Sequence, residues 1–397
     1  MQAFSTRIVT WRRTAGILTE DFAYDGEGRV SDYTQTVDYR TSYPWVTSYS
    51  YDTLDRIKQI QYPKQYGLPG DPRKLVTQTY DISSRLTSLT YGTILSSVQQ
   101  AGDVVYNASD QTTSINIGAA GTNQVNEQYT FDSQTGLMTN QKAIKNGSTT
   151  LLDLTYDYNR NNSNGSLSGK TGHLTKILNN LDHNKDREYL FDAIGRLTVA
   201  KGKATNQWTQ TYTYDRFGNR TSVAATGTAA DNSTMPTDGI PNLTFNTASN
   251  RITTAGFLYD SAGNQTRALA EDAMTWVKYE YDAANRLQNV KKDDANLTLL
   301  QAFVYGSTNA KLIDYDPLGT GRNTFYASVG GTVLAEYTEY AQNIPSWTKS
   351  YTYLGDSLLA TITPNGSGGE YTEYNHPDRL GTRLITNQSQ KGQFLSE

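Results

Sequence analysis

Short runs in which every second residue is apolar or aromatic recur along the whole chain, each closed by a polar turn. The stretch TYTYDRFGNRTSVAAT, residues 211–226, shows the pattern in full. A period of two marks half-buried strands, and no stripe of helical period stands out. The recurring unit is an aromatic, any residue, Tyr or Phe, Asp, two variable residues, Gly or Asn, Arg or Asn, then an apolar residue or Thr. It occurs at Tyr24-Asp25, Tyr51-Asp52, Tyr80-Asp81, Phe131-Asp132, Phe191-Asp192, Tyr214-Asp215, Tyr259-Asp260 and Tyr281-Asp282. Weaker copies stand at Tyr106, Phe245 and Tyr305, and the copy at Tyr156-Asp157 carries a long Asn/Gly/Ser insertion. Successive copies are mostly 22 to 31 residues apart, with 35 after Tyr156 and 14 after Phe245. Such drift predicts structural units with variable outer loops.

Each unit reads as a β-hairpin. Tyr-x-Tyr sets two aromatics on one strand face. The Asp carboxylate accepts a backbone N–H two residues on, and Gly or Asn then fits a position of positive φ. The Arg-Leu pair opens the return strand. A lone hairpin cannot bury its aromatic face, so neighbours must stack into a long antiparallel sheet. The expected architecture is all-β, a continuous, spiralling sheet of hairpins forming an open or hollow shell.

Composition sharpens this picture. Tyr outnumbers Phe and Trp, 29 against 10 and 5, and hydrophobic residues make up only 36%. Tyr buries a large ring while its hydroxyl stays hydrogen-bonded, which suits thin Tyr-lined layers. The net charge of −4 offers no basic field for nucleic acid. Without cysteine there are no disulfides and no Cys-based zinc sites. No run of about 18 apolar residues predicts membrane insertion. The N-terminus has no apolar signal core and starts in mid-repeat, as expected of a piece of a longer chain.

From about Arg322 the strands lengthen and the turns sharpen, in FYASVGGTVLAEYTEY and again from Thr348 to Asn387. The expected organisation is a hairpin array over 1–320 and a specialised terminal segment over 321–397, continuous with the same sheet. On these residues the chain resembles the YD-repeat proteins of the RHS family, relatives of which occur in teneurins and insecticidal toxin-complex subunits. The run NHPDRLGTRLITN resembles the RHS core-associated segment, whose signature maps to His376, Asp378, Leu380, Gly381 and Thr382. The resemblance implies a sheet that spirals into a shell. It also implies an exported or cell-surface bacterial protein of a toxin- or effector-delivery or contact system, partnered by an effector domain or a second chain.

A strip of about 30 strands at roughly 4.8 Å each is about 145 Å long. Closed in one turn it leaves roughly 36 Å inside, barely the about 33 Å of a folded 100-residue domain. A partial shell, a small cargo-free spiral or half of an assembly is therefore expected, and open sheet edges suggest a homo-oligomer.

Candidate chemistry is sparse. The repeated Asp reads as a turn former, and no catalytic, cofactor-binding or metal-ligating residue is assigned. His173, His183 and His376 are too far apart for a metal motif; the first two are expected in solvent and the third in packing. In the GSLSG run at Gly165, Leu167 occupies the place of a nucleophile. Family members with an aspartyl self-cleavage site carry it after the core segment, whereas Asp316-Pro317-Leu318-Gly319 lies about 60 residues before His376. An ordinary proline turn is the reading there. The sequons at Asn107, Asn146 and Asn242 follow from composition. The leading expectation is a structural shell protein. The alternatives are an extracellular adhesion or carbohydrate-binding module, with exposed aromatics stacking sugars, and a self-cleaving toxin fragment.

Overall fold

The computed structural model describes residues 8–12, 18–121, 123–161, 167–170, 172–203, 208–227, 242–270, 274–306, 309–318, 322–339, 344–380, 383–387 and 393–394. The described residues form an all-β fold with two single-turn 3-10 helices, Asp38–Arg40 and His183–Lys185, and no α-helix. Their strands build two large antiparallel sheets, of 17 and 13 strands, and a two-stranded ribbon. The ribbon, Asn159–Asn161 with Leu167–Lys170, lies in the insertion after Tyr156. Along each meander a strand pairs antiparallel with the next, as Leu18–Tyr24 does with Val30–Val37 and Trp45–Tyr51 with Ile57–Lys64. Apart from the ribbon, the strands up to Arg220–Thr226 lie in one sheet and those from Leu258–Tyr259 in the other. Between them the weak copy at Phe245 makes only the isolated bridge Phe245↔Ile252, too little to carry a ladder across.

The hairpins share one irregularity. The register shifts immediately before Tyr24, Tyr51, Tyr80, Tyr106, Phe191, Tyr214, Tyr259, Tyr281 and Tyr305. In each case the extra residue lies on the return strand, opposite the aromatic, and the bulge bends that strand where it leaves the turn.

The chain divides into two compact units. The second holds residues 127–144 and 149–298. It contains one meander from Thr149–Asp157 to Arg220–Thr226 and another from Leu258–Tyr259 to Leu287–Lys292. Its core is thin, with Leu152, Leu154, Tyr156, Tyr158, Ile177, Ala200, Ala268 and Val277 buried.

The first unit joins residues 1–126 and 145–148 to 299–397. Here the early hairpins and the terminal segment lie against each other as two layers. Trp45 packs on Phe325 and Tyr337, with ring centroids 5.2 and 5.5 Å apart, and Tyr66 lies 6.1 Å from Tyr337. Tyr hydroxyls stitch the layers: Tyr62 donates to the Tyr351 carbonyl (2.7 Å) and Tyr337 to the Lys64 carbonyl (2.9 Å). The Trp347 amide donates to the Tyr66 carbonyl at 2.8 Å. Gly67 sits beneath Ser346 at φ +87°, and a Cβ there would stand 3.0 Å from the Ser346 hydroxyl.

Several buried or half-buried polar side chains in this layer find partners across it. Gln35 accepts from the Ser328 amide at 3.0 Å and Gln100 from the Thr352 hydroxyl at 2.9 Å. Glu339 is ion-paired with Arg40. Glu370 takes Lys74 (2.8 Å), Gln65 (2.6 Å) and Tyr91 (3.3 Å). Burial pushes the Tyr66 phenol up to about 12, and those of Tyr62, Tyr91 and Tyr337 further, so all four remain neutral donors. Tyr337 and Thr352 are 0% exposed, so the inner face of this unit is filled by its own side chains.

A filled layer responds to truncation like a core. Tyr337→Ala is expected to cost about 3–5 kcal/mol, whereas Tyr371→Ala, half exposed, should cost less than about 0.5 kcal/mol. Urea unfolding of the two variants checks this, and equal small losses would mean that the layer is not a packed core.

Candidate functional site

The residues the repeat singles out all meet at the hairpin turns. In the copy at Asp52, the Asp N–H donates to the Arg56 carbonyl (2.9 Å) and Asp55 N–H to the Asp52 carbonyl (3.2 Å). Asp52 Oδ1 accepts from the amides of Leu54 (2.9 Å) and Arg56 (3.1 Å), and Oδ2 from Arg56 Nε (2.7 Å). The same set recurs at Asp25, Asp81, Asp192 and Asp282. The position three residues after the Asp has positive φ in each, at Gly28, Asp55, Ser84, Gly195 and Asn285. Asp132 and Asn246 close loops one residue longer.

The Arg is more than the start of the return strand. Its guanidinium lies over the ring of the next repeat's Tyr: Arg29 over Tyr51 (4.6 Å), Arg56 over Tyr80 (4.7 Å), Arg85 over Tyr106 and Arg196 over Tyr214 (both 4.9 Å). Its free end reaches the next turn. Arg56 donates to the Asp81 carbonyl and the Ser84 hydroxyl, Arg85 to Asp110, Arg196 to the Asp215 carbonyl, and Arg29 pairs with Asp55. That same Tyr donates back to the carbonyl just after the Arg. Tyr51 bonds Val30, Tyr80 Ile57, Tyr106 Leu86 and Tyr214 Leu197, at 2.6–2.8 Å. In these four copies the turn residue fixes the Arg, and the Arg clamps the following hairpin.

Departures from the consensus keep the geometry. Where Asn replaces Arg, Asn219 donates to Asp215 Oδ2 (2.7 Å) and to Asn250 (2.6 Å), and Asn264 to Asp260 Oδ2 and Asn285 (both 2.9 Å). A planar N–H₂ spans the two turns as the guanidinium does. Where Asn107 replaces Asp, its Oδ1 still accepts the Ser109 and Gln111 amides. Side chains at positive φ are strained relative to Gly. Asp55, Ser84, Asp110, Asn250 and Asn285 hold that conformation and supply the acceptor the previous clamp needs.

Sequence reasoning placed the Asx turn and the positive φ, and missed both the clamp and three further turns. Asp294 accepts the Asn296 and Thr298 amides, Asn365 those of Ser367 and Gly369, and Asp378 that of Leu380. The signal for the clamp was the Arg or Asn four residues after Asp25, Asp52, Asp81, Asp192, Asp215 and Asp260. In the terminal signature, Asp378 makes the repeat's Asx contact, with Pro377 where Tyr would stand; Gly381 and Thr382 lie outside the described residues. His376 is 0% exposed on Glu370–Pro377, with Leu384 as its cross-strand partner.

The other histidines lie apart. His173 is exposed and stacked on Phe191 at 4.8 Å. His183 is exposed and paired with the buried Asp186 at 3.3 Å. Among the described residues no group of three His, Asp or Glu could hold a metal ion, and no helix is long and apolar enough to cross a membrane. Asp316 ends the strand Lys311–Asp316 and accepts the Leu318 amide at 3.1 Å, an Asx contact; Gly319 lies outside the described residues. Leu167 starts the ribbon strand Leu167–Lys170, and Gly165 lies outside the described residues. The clamped Tyr rings each have a face covered by a guanidinium, which removes that face from sugar stacking.

The clamps carry a pH signature. Asp52 is held below the usual carboxylate range by Arg56, and Asp81 and Asp192 first by the backbone amides of Arg85 and Arg196. Asp25, Asp215 and Asp282 shift the same way, their hydrogen bonds outweighing desolvation, and Asp260 does so first through Asn264. A depressed folded value stabilises in full above the unfolded value of 3.8 and ceases to as pH falls through the folded one. The urea midpoint should therefore fall as the pH drops below about 4, and Asp81→Asn, which keeps the turn acceptor, should reduce that fall. A midpoint that rises on acidification would contradict the assignment.

No family model and no curated protein sequence matches the chain. Solved structures do resemble it. It is similar to a chain of the crystal structure of TcdB2-TccC3, with a TM-score of 0.73 and 15% identity over 98% of this chain and 21% of that one. For TcdB2-TccC3-Cdc42 the TM-score is 0.71 at 16% identity, over 95% and 20% of the two chains. For TcdB2-TccC3-TEV it is 0.69 at 15% identity, over 98% and 21%. The chain spans about a fifth of the length of the chains it resembles. At these identities what is shared is the fold, and it is shared along nearly the entire chain.

Proposed function

We propose that this chain is a non-catalytic wall segment of an RHS-type YD-repeat shell, from an exported toxin- or effector-delivery system. The observation that carries the reading is the use of the motif residues. The Asp, Arg and Tyr of the clamped copies are spent on turn closure and on joining one hairpin to the next, which is what a wall requires and a reactive centre does not. The fold likeness to about a fifth of the TcdB2-TccC3 chains supports a segment of a larger wall. The filled inner face of the first unit supports a piece that holds no folded cargo there. Its partner on this reading is more shell or an effector polypeptide; one of the similar structures contains Cdc42 beside TcdB2 and TccC3.

Intact mass after prolonged incubation at neutral pH tests the reading. The expected result is the undivided 44.0 kDa chain. Two fragments meeting at Asp316-Pro317 would overturn it in favour of a self-cleaving toxin.

A further inference from the structure

We propose that Asn146-Gly147 is a site of spontaneous backbone modification, converting with time to aspartate and isoaspartate, and that the fold protects the chemically equivalent pair Asn365-Gly366. In this reaction the Gly147 amide nitrogen attacks the Asn146 Cγ. A C–N bond forms, the bond to the side-chain nitrogen breaks, and ammonia leaves. Water then opens the cyclic imide at either carbonyl, giving Asp or isoAsp. No other co-reactant is needed.

The surroundings of Asn146 leave room for the reaction. It stands at the tip of the hairpin between Met138–Lys145 and Thr149–Asp157, with φ +49°, followed by Gly147 at φ +68°. Both residues are exposed, and nothing lies within 4 Å of where a Gly147 Cβ would be, so no neighbouring group crowds the tip. The Asn146 amide donates to the Gln124 carbonyl at 2.8 Å and the Ser148 amide to the Lys145 carbonyl at 3.1 Å. Those bonds hold the tip and leave the Asn146 carboxamide and the Gly147 N–H free to react. The product keeps the fold, because the added backbone atom falls in a loop outside the ladder, and it carries one more negative charge.

Asn365 has the same neighbour and another environment. It occupies the Asp position of a repeat-type turn, and its Oδ1 accepts the Ser367 and Gly369 amides, both at 2.9 Å. Its carboxamide must give up both bonds to reach the reactive rotamer. The loss of two such hydrogen bonds corresponds to a rate difference of about 30-fold, or about 2 kcal/mol at 1.36 kcal/mol per decade. Asn164-Gly165 lies outside the described residues.

The test is timed incubation of the full chain in mildly alkaline buffer, then proteolysis and mass spectrometry with electron-transfer fragmentation to separate Asp from isoAsp. Asn146 should convert about 30-fold faster than Asn365 in the native protein, and the ratio should collapse toward one in concentrated urea. Equal native rates, or faster conversion at Asn365, would overturn the proposal. So would a ratio that persists in urea, since local sequence and not the fold would then set it.

Discussion

Everything in this fold depends on how one hairpin holds the next. A two-stranded hairpin is marginal in water, and hydrophobic residues make up only 36% of this chain. The chain answers with a contact that recurs at four repeat boundaries, and with an Asn bridge at two more. An Asp closes its own turn and orients an Arg, the Arg covers the next Tyr, and the Tyr hydroxyl returns to the strand behind it. Ring burial, a guanidinium stack and a hydrogen bond act together at one point, so the array does not rely on a thick core.

The clamp also explains the tolerance of the repeat. Asn107 replaces an Asp and still accepts the turn amides, and Asn219 and Asn264 replace an Arg and still bridge to the next turn. Non-glycine residues occupy positive φ where their side chains receive the previous clamp. In the first unit a second device is added. The terminal segment lies on the early hairpins, and Trp45, Tyr62, Tyr66 and Tyr337 join the two layers through rings and hydroxyls. Half-buried Glu370 is held there by Lys74, Gln65 and Tyr91 together.

Much of this was legible from residue order. Alternation of period two gave the strands, and Asp with a downstream Gly or Asn gave the turns, because both effects act within a few residues. The clamp was half-visible: Arg56 stands at a constant offset from Asp52, but its second partner, Tyr80, is a repeat away, and no local rule couples them. The packing of Trp45 on Phe325 and Tyr337 could not be read at all, since those residues are nearly 300 positions apart. The division into two sheets was equally hidden, because the copy at Phe245 keeps the motif and lacks the ladder. For the candidate site, the motif residues were named correctly as turn formers, and their job of joining neighbours emerged only from distances.

The most direct test of the account is a double-mutant cycle between Arg56 and Tyr80, with unfolding free energies of the wild type, Arg56→Ala, Tyr80→Leu and the double variant. If the clamp joins the hairpins, the two residues should be coupled by about 0.5–1 kcal/mol beyond the sum of the single effects. Strictly additive losses would contradict it, leaving each hairpin held by its backbone ladder alone.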